Sequence, residues 1–271
     1  MIYEETLAFL AEAGGDDLDA LTLSEVVIGS CLCAVRLSDG SAGVAATLTE
    51  HGGFHGKGSR DFGEFTPLRI RGRRVRDLLY SEKDSQEVKA LQIAALNALS
   101  CSMIRGGPYP VEEDRDPVDL LGDLRGKRIY LVGAFPSYIR RFREEGCDFS
   151  VLERNPSALK PEHQEHFVPA EHYGRVLPGA EIVILTGQTL VNRTIDALLG
   201  AVSPGAVVVV TGPSCGAVPD ILFRYGVSIA GSLLITDPAM MLAVAAEGGT
   251  GYHLFHYCAR KMVLVNPSGR V

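Results

Sequence analysis

The sequence EIVILTGQT, from Glu181 to Thr189, decides the fold of this chain, because an apolar run ends there in a cluster of small polar residues. The same pattern occurs three more times in the second half, in IYLVGAFP (129–136), DFSVLERNP (148–156) and AVVVVTGPS (206–214). Continuous apolar runs of this kind are typical of strands buried on both faces, so we expect a parallel sheet with helices on each side. Open sheets of this class bind ligands at the carboxyl ends of their strands. The pattern therefore predicts where a ligand site lies, without naming the ligand.

The residues between these runs predict the helices that cover the sheet. PSYIRRFREEG (136–146) ends at a glycine that is typical of a helix C-terminus, and we expect further helices at 192–199 and 218–225. VSIAGSLLI and KMVLVN, near the end of the chain, are typical of two more strands. Alternation of strands and helices is typical of the α/β class, so residues 120–271 are predicted to form a Rossmann-like, doubly wound domain.

The first half of the chain has a different pattern. A helix is expected from about Tyr3 to Ala13, and two strand-like runs follow, SEVVIGSCLCAVRL and AGVAATL, joined by Asp39-Gly40, which is a strong hairpin signal. A short strand is predicted at TPLRIRG (66–72), and an amphipathic helix at 85–100. Residues 1–119 are therefore predicted to form a small α+β domain.

Charge and composition support a boundary near Asp119. Residues 1–119 carry 12 basic and 20 acidic side chains, whereas residues 120–271 carry 14 and 13, and RGGPYPVEEDRDP (105–117) between them has the composition of a linker. The net charge of the whole chain is -7, which argues against general binding to nucleic acid or to anionic membranes. No apolar run approaches the roughly 18 residues that span a bilayer, and the acidic N-terminus is unlike a secretory signal. The expected location is the cytoplasm.

Six cysteines are scattered along the chain, and in a cytoplasmic protein we expect them to be reduced and mostly buried. Cys31 and Cys33 form a CxC pair, whose two side chains would point to the same face of a strand. Packing is the favoured role for this pair, with metal or redox chemistry as the alternative.

The turn after the first strand of the second half argues against an ordinary dinucleotide. A dinucleotide fold has GxGxxG at this place, but only Gly133 is present here, and Phe135 and Pro136 fill the space. Glu153 ends the next strand, about 20 residues after Gly133, where an acid commonly accepts hydrogen bonds from ribose hydroxyls. The alternative is an ordinary surface carboxylate.

Two further strand ends carry polar clusters. LTGQTLVNRT (185–194) contains more hydroxyl and amide side chains than the capping of one helix requires, which favours a ligand-binding role. In TGPSCG (211–216) the serine is not part of a GxSxG motif, so we expect it to bind rather than to act as a nucleophile. Gly231 and Asp237 are weaker candidates for the same crevice, and Asp237 could equally cap a helix over 238–246.

Histidines and a cysteine form a second focus. HLFHYC contains His253, His256 and Cys258, and HGGFHGKG contains His51 and His55. Imidazole and thiolate ligands suit zinc, copper, nickel or iron, so these clusters are candidate metal ligands. Neither cluster has four ligands in a zinc-finger spacing, and aromatic neighbours of the first cluster favour packing instead.

In their order along the chain, these motifs resemble the "putative heavy-metal chelation" family. The resemblance rests on GKRIYLVGAFP, Glu153, LTGQTLVNRTIDALL, VTGPS and GVSIAGSLLITD in the second half, and on the hairpin, SAGVAAT and ALQIAALNAL in the first. It implies a first domain similar to the N-terminal domain of enolase, an atypical Rossmann-like second domain, and a ligand site between them. The candidate site residues that it implies are Gly133, Phe135, Glu153, Thr186, Gly187, Thr189, Asn192, Gly212, Pro213 and Ser214, with Asn97 from the first domain. The histidine clusters lie outside the matched motifs.

Three functional hypotheses follow from the residues and the resemblance. The first is a metal-handling protein whose crevice binds a divalent metal ion or a metal chelate. The second is an enzyme with a nucleotide-like substrate or cofactor, such as S-adenosylmethionine, which the strand-end turns and Glu153 suggest. The third is a dimeric interaction module with a vestigial crevice, in which a homodimer would form.

Overall fold

Three antiparallel strands and a long helix form the first part of the chain in a computed structural model, which describes residues 1–14, 17–47 and 62–269. Its elements are helices α1 (Ile2–Gly14), α2 (Asp17–Ala20), α3 (Val75–Leu79) and α4 (Gln86–Gly106), and strands β1 (Leu23–Ile28), β2 (Leu32–Leu37) and β3 (Ala42–Ala46). Ser85 begins α4, because its side chain accepts a hydrogen bond from the Val88 N–H. Helix α4 packs along β3 and β2, and it carries its buried side chains into the core of this part.

The hairpin at Asp39-Gly40 is confirmed, since it joins β2 and β3 and Gly40 has a φ of 91°. The run predicted as one strand before it is two strands, β1 and β2, because the chain turns at Gly29. A side chain at Gly29 would lie 2.1 Å from the Ala245 carbonyl oxygen, so only glycine fits in this turn. The prediction of a strand at residues 66–72 is wrong, because this segment turns at Leu68, which has a φ of 70°.

An eight-stranded sheet forms the second part. Its strands are β4 (Val111–Glu113), β5 (Arg128–Val132), β6 (Asp148–Glu153), β7 (Phe167–Pro169), β8 (Ile182–Thr186), β9 (Val207–Thr211), β10 (Ile229–Ile235) and β11 (Ala259–Val265). Their spatial order is β4-β11-β10-β9-β8-β5-β6-β7, in which β11 and β4 are antiparallel to their neighbours and β5 to β10 are parallel. The six parallel strands have the order third, second, first, fourth, fifth and sixth, which is that of doubly wound nucleotide-binding sheets. The predicted α/β class is confirmed, while the likeness of the first part to enolase stays a prediction.

Helices connect these strands and cover the sheet. They are α5 (Pro136–Glu144), α6 (Tyr173–Val176), α7 (Gln188–Val191), α8 (Ile195–Ala201), α9 (Asp220–Arg224), α10 (Pro238–Ala246) and α11 (Gly251–Tyr257). The helix predicted over 192–199 begins three residues later, at Ile195, because Arg193 has a φ of 61° and separates α8 from the unpredicted helix α7. Sequence periodicity missed β4, β7 and α11, since each is short and has no clear apolar alternation.

Strand β4 lies within the predicted linker and pairs with β11, so residues before 119 already belong to the larger sheet. The boundary near Asp119 stays a prediction. The apolar core around β8 and β9 is continuous with the core beneath α4 in the first part, through side chains such as Leu96, Leu190 and Val218. A shared core of this kind holds the two parts together and brings α4 to the strand ends of the large sheet.

All six cysteines are free thiols, and three of them, Cys33, Cys215 and Cys258, are buried. Cys31, Cys101 and Cys147 are partly exposed, so the expectation that most of the six are buried holds for only half. No helix within the described ranges is long and apolar enough to cross a membrane.

Candidate functional site

The strand ends meet at a switch point between β5 and β8. The helix that follows β5 packs on one face of the sheet, through Ile139 and Phe142, whereas the helix that follows β8 packs on the opposite face, through Ile195 and Leu198. The two connections diverge from neighbouring strands, which is the arrangement that produces a crevice in open α/β sheets. Ligands of open α/β sheets bind in crevices of this kind.

Gly133 makes the close approach of the two strand ends possible. It has a φ of 97°, and its N–H donates to the Leu152 carbonyl oxygen at 2.9 Å. A side chain at this position would lie 2.8 Å from Cγ2 of Thr186. The glycine predicted from the sequence is therefore required, and Thr186 lies directly beside it at the switch point. Phe135 follows at the start of α5, where its ring stacks on Tyr138 with the centroids 5.2 Å apart.

The carboxylate of Glu153 is fixed at this edge by three backbone N–H groups. Oε2 accepts from Ala134 at 3.0 Å, and Oε1 accepts from Arg154 at 2.7 Å and from Asn155 at 3.2 Å. These bonds join the ends of β5 and β6 and hold the carboxylate in one orientation. The side chain remains partly exposed, so it can also accept a hydrogen bond from a ligand.

The polar residues after β8 are used mainly to build the turn. The Thr189 hydroxyl is buried and donates to the Thr186 carbonyl oxygen at 2.7 Å. Asn192 Oδ1 accepts from both the N–H and the hydroxyl of Thr194. Of this cluster, Thr186 is partly exposed beside Gly133, and Gln188 is exposed in the first turn of α7. Hydrogen bonds within the turn therefore account for Thr189, Asn192 and Thr194, which are part of the surplus of polar side chains in this segment.

Ser214 joins the two sheets. It is 1% exposed, and its Oγ accepts a hydrogen bond of 2.8 Å from the Ala46 N–H at the end of β3. Gly187 packs against this serine and donates its own N–H to the Thr211 carbonyl oxygen. A buried hydroxyl with this partner cannot approach a substrate, so a nucleophilic role for Ser214 is excluded by its position.

Asn97 reaches the same junction from α4. Its Nδ2 donates to the Val44 carbonyl oxygen at 2.7 Å and to the Pro213 carbonyl oxygen at 3.3 Å, so one amide spans the two parts. Its Oδ1 is buried and has no partner within the described part of the chain. Two cavities of about 20 Å³ adjoin Asn97, and each is large enough for about one water molecule. Gly212, at the end of β9, donates to the Gly231 carbonyl oxygen and has a φ of 130°.

Gly231 and Asp237 have structural roles. A side chain at Gly231 would lie 2.3 Å from Cγ of Pro117, so this glycine lets the segment before β5 cross the sheet. Asp237 begins helix α10, and its carboxylate accepts from the N–H groups of Ala239 and Met240. The capping alternative for Asp237 is therefore correct.

The candidate metal ligands His253, His256 and Cys258 do not converge. Both histidines lie exposed on α11, where Nδ1 of His253 accepts from the Thr250 N–H, whereas Cys258 is buried beneath that helix. Burial, with Asp237 nearby, raises the pKa of the Cys258 thiol to about 11, which disfavours the thiolate that a metal requires. Across residues 1–14, 17–47 and 62–269, no three His, Cys, Asp or Glu side chains are grouped as a metal site.

His51 and His55 lie outside the described residues.

The exposed face of α11 carries Tyr252, Phe255 and Tyr257, which is the kind of surface that the interaction-module hypothesis requires.

One partly buried cluster near the strand ends was missed in the sequence. The Tyr138 hydroxyl donates to Asp116 Oδ1 at 2.8 Å, and Nζ of Lys261 donates to Asp116 Oδ2 at 2.9 Å. Burial and the Asp116 carboxylate raise the pKa of the Tyr138 phenol, which therefore remains a hydrogen-bond donor. These residues tie α5 and β11 to the segment between β4 and β5. The Asp-Pro pair at 116–117 was the available signal, since it is typical of a cap.

Comparison with known proteins places this fold in a family. The model of the DUF364 family, described as "Putative heavy-metal chelation", matches residues 116–264, and the model of the DUF4213 family, with the same description, matches residues 11–100.

The solved structures that the chain resembles include a DUF364-family protein of unknown function from Pyrococcus horikoshii, with 22% identity and a TM-score of 0.76. Another is a DUF364-family protein of unknown function from Desulfitobacterium hafniense, with 17% identity and a TM-score of 0.74. Each comparison covers 97% of this chain and 98% of the other, and identities this low show the fold alone.

An uncharacterized protein of Methanocaldococcus jannaschii is 27% identical over 112 residues, which is 41% of this chain and 42% of that relative. The relative adds no ligand or activity. Because the DUF364 model matches more than half of its length, the chain belongs to the family described as "Putative heavy-metal chelation".

Proposed function

We propose that this protein binds a metal chelate in the crevice at the strand ends, and that it contacts the organic part of the chelate rather than the metal. The observation that carries the proposal is the carboxylate of Glu153, which three backbone N–H groups hold beside the switch point. The family description suggests that a metal is involved, and the crevice is the location that we propose for it.

The donor set favours a chelate over a bare ion. A hard cation such as Ca²⁺ takes six to eight oxygen ligands, and a soft ion needs thiolates or imidazoles. Near the switch point the described side chains include the carboxylate of Glu153, the hydroxyl of Thr186 and the amide of Gln188. The Asp116 carboxylate is already paired with Tyr138 and Lys261. Such groups are suited to hydrogen bonds with an organic molecule, whose own atoms would complete the coordination of the metal.

The fixed carboxylate also indicates what the ligand presents. Oε1 already accepts two backbone hydrogen bonds and Oε2 accepts one, and the remaining lone pair on Oε2 can accept a further hydrogen bond but cannot donate one. The ligand should therefore present N–H or O–H groups to Glu153. Thr186 and Gln188 can each donate or accept, so they are compatible with a carbonyl or carboxylate elsewhere on the same molecule.

The test is a thermal-shift comparison on metal-stripped protein. The ligands are Ni²⁺, Co²⁺ and Zn²⁺ as free ions and as their complexes with histidine and with citrate. At about 100 times its dissociation constant, a ligand stabilises the fold by roughly 2.7 kcal/mol, which moves the midpoint by several degrees. We expect this shift with one or more complexes and not with the free ions or the free chelators.

The variant Glu153→Gln should lose that shift, because an amide presents a single acceptor oxygen and no charge. Glu144→Gln is the matched control, because Glu144 is exposed at the end of α5. This substitution removes the same charge at a residue outside the proposed site. A midpoint shift of equal size in both variants would show that Glu153 does not bind the chelate. A response to free ions alone would contradict binding through the organic part.

A nucleotide-like ligand is the second candidate, and a specific observation favours it. The parallel strands have the order of dinucleotide-binding sheets, and Glu153 lies at the end of the second strand, where an acid accepts from ribose hydroxyls. Against it, Phe135 and Pro136 occupy the turn in which a pyrophosphate would need glycines. Adding S-adenosylmethionine, NAD and ATP to the same panel, without metal, separates the two candidates.

A further inference from the structure

A second concave site lies along helix α5, and Glu153 is not among the residues that line it. It is a groove of about 480 Å³ between α5 and the turns that follow β6. Ile139 and Leu159 lie almost completely buried at its base, and Pro136 and Ala158 provide exposed apolar surface in its walls. Small-molecule sites have volumes of about 300–1,000 Å³ and combine an apolar surface with a few polar groups, so the groove has the size of such a site.

The walls of the groove are basic. Arg140 and Arg143 project from α5, Lys160 and His163 lie on the opposite wall, and Glu162 is the one acid in the lining. The chain as a whole has a net charge of -7, so this local excess of positive charge is opposite in sign to the rest of the molecule. A concave site lined by one sign of charge concentrates ligands of the other sign.

The arginines that face the groove differ from their neighbour on the same helix. Arg141 is paired with two acids, Asp119 at 2.6 Å and Glu145 at 2.8 Å. Within the described part of the chain, neither Arg140 nor Arg143 has an acidic partner. The helix therefore neutralises the arginine outside the groove and leaves the two inside it available to a ligand.

One contact ties the two walls together. Nη1 of Arg143 lies 3.4 Å from Nδ1 of His163, which leaves the other guanidinium nitrogens of this arginine available. The only acid of the lining, Glu162, is 4.0 Å from Lys160, and both side chains are more than half exposed. A pair of this kind contributes little and is easily displaced.

We propose that this groove binds a small organic polyanion, whose phosphate or carboxylate groups pair with Arg140 and Arg143 while its body packs on Pro136 and Ala158. Residues three apart on a helix are about 5–6 Å apart at Cβ, so two guanidinium groups can hold adjacent anionic groups of one molecule. Guanidinium forks match both phosphate and carboxylate. The inference does not depend on the proposed ligand of the crevice.

Isothermal titration calorimetry on the full chain, without divalent metals, tests the proposal with four probes: ATP, pyrophosphate, citrate and adenosine. Saturable binding of one or more of the three anions, and no binding of adenosine, is expected. Preference for ATP or pyrophosphate would identify a phosphate-bearing ligand, and preference for citrate a polycarboxylate. Failure of all three anions to bind at millimolar concentration would overturn the proposal.

The variant R140Q/R143Q should weaken binding about 100-fold, roughly tenfold for each arginine, because a hydrogen bond to a charged group contributes about that factor. The control R69Q/R175Q removes the same charge from two exposed arginines outside the groove. Equal losses in the two double variants would show general charge attraction and overturn the site. Unchanged binding in R140Q/R143Q would do the same, and circular dichroism checks that each variant is folded.

Discussion

Substitution of Gly43 by alanine should push strand β3 away from helix α4 and thereby displace Asn97. A Cβ atom on Gly43 would lie 2.3 Å from the Ala94 carbonyl oxygen and 2.5 Å from the Ala98 nitrogen. Both are backbone atoms of the helix, so no change of a side-chain rotamer relieves the clash. Gly43 therefore marks the closest approach between the small sheet and the helix that carries Asn97.

The size of the effect follows from these distances. Ordinary contacts begin near 3.4 Å, so the strand and the helix must separate by about 1 Å. Overpacking of a core costs about 1–3 kcal/mol, and a backbone shift of this size belongs at the upper end. The hydrogen bond from Asn97 to the Val44 carbonyl oxygen would be stretched as well, which costs about 1 kcal/mol. We expect a total loss of about 3–4 kcal/mol.

Thermal unfolding followed by circular dichroism measures this loss. A change of 1 kcal/mol moves the midpoint by about 2–4 °C in a protein of this size, so Gly43→Ala should lower it by roughly 6–16 °C. Gly174→Ala is the matched control, because a Cβ on Gly174 would have no atom within 4 Å. The control should change stability by less than about 1 kcal/mol. Equal midpoints for the two variants would refute the close packing of β3 on α4.

Two further predictions concern buried groups. Ser214→Ala leaves the Ala46 N–H without its acceptor, so urea unfolding should show a loss of about 1–3 kcal/mol; an unchanged midpoint would mean that water replaces the hydroxyl. Burial raises the pKa of Cys33 and of Cys215 to about 12, so both thiols stay protonated at pH 8. Iodoacetamide should therefore modify Cys101, which is partly exposed, before it modifies either of these two thiols, and mass spectrometry measures the order of labelling. Equal labelling rates in the folded protein would contradict the burial of these thiols.

Local sequence patterns predicted those features whose cause is local. The runs at 129–132, 182–185 and 207–210 are strands, as predicted. A strand that is buried on both faces of a parallel sheet needs an apolar side chain at every position, and a continuous apolar run can be recognised in the sequence. The hairpin at Asp39-Gly40 depends on one glycine in a left-handed conformation, which is readable from two residues. Gly133 could be named in the same way, since the turn after a first parallel strand commonly needs a glycine.

Features that depend on distant residues could not be read from the sequence. Leu68 turns a segment that has the composition of a strand, and Arg193 interrupts a segment that has the periodicity of a helix. Ser214 had the appearance of a ligand residue, but its partner is 168 positions away, at Ala46. In each case long-range packing decides between alternatives that differ little in local free energy.

The sequence by itself determined the α/β class, the parallel strands and the edge of the sheet at which their polar residues gather. Only the tertiary structure decided which of those polar side chains are available to a ligand. Buried hydroxyl and amide groups here donate to backbone carbonyl oxygens, as the Thr189 hydroxyl does to Thr186 and Nδ2 of Asn97 does to Val44, and composition cannot reveal which carbonyl each group meets. The groove beside α5 likewise exists only because folding brings residues 140–143 and 158–163 to face one another.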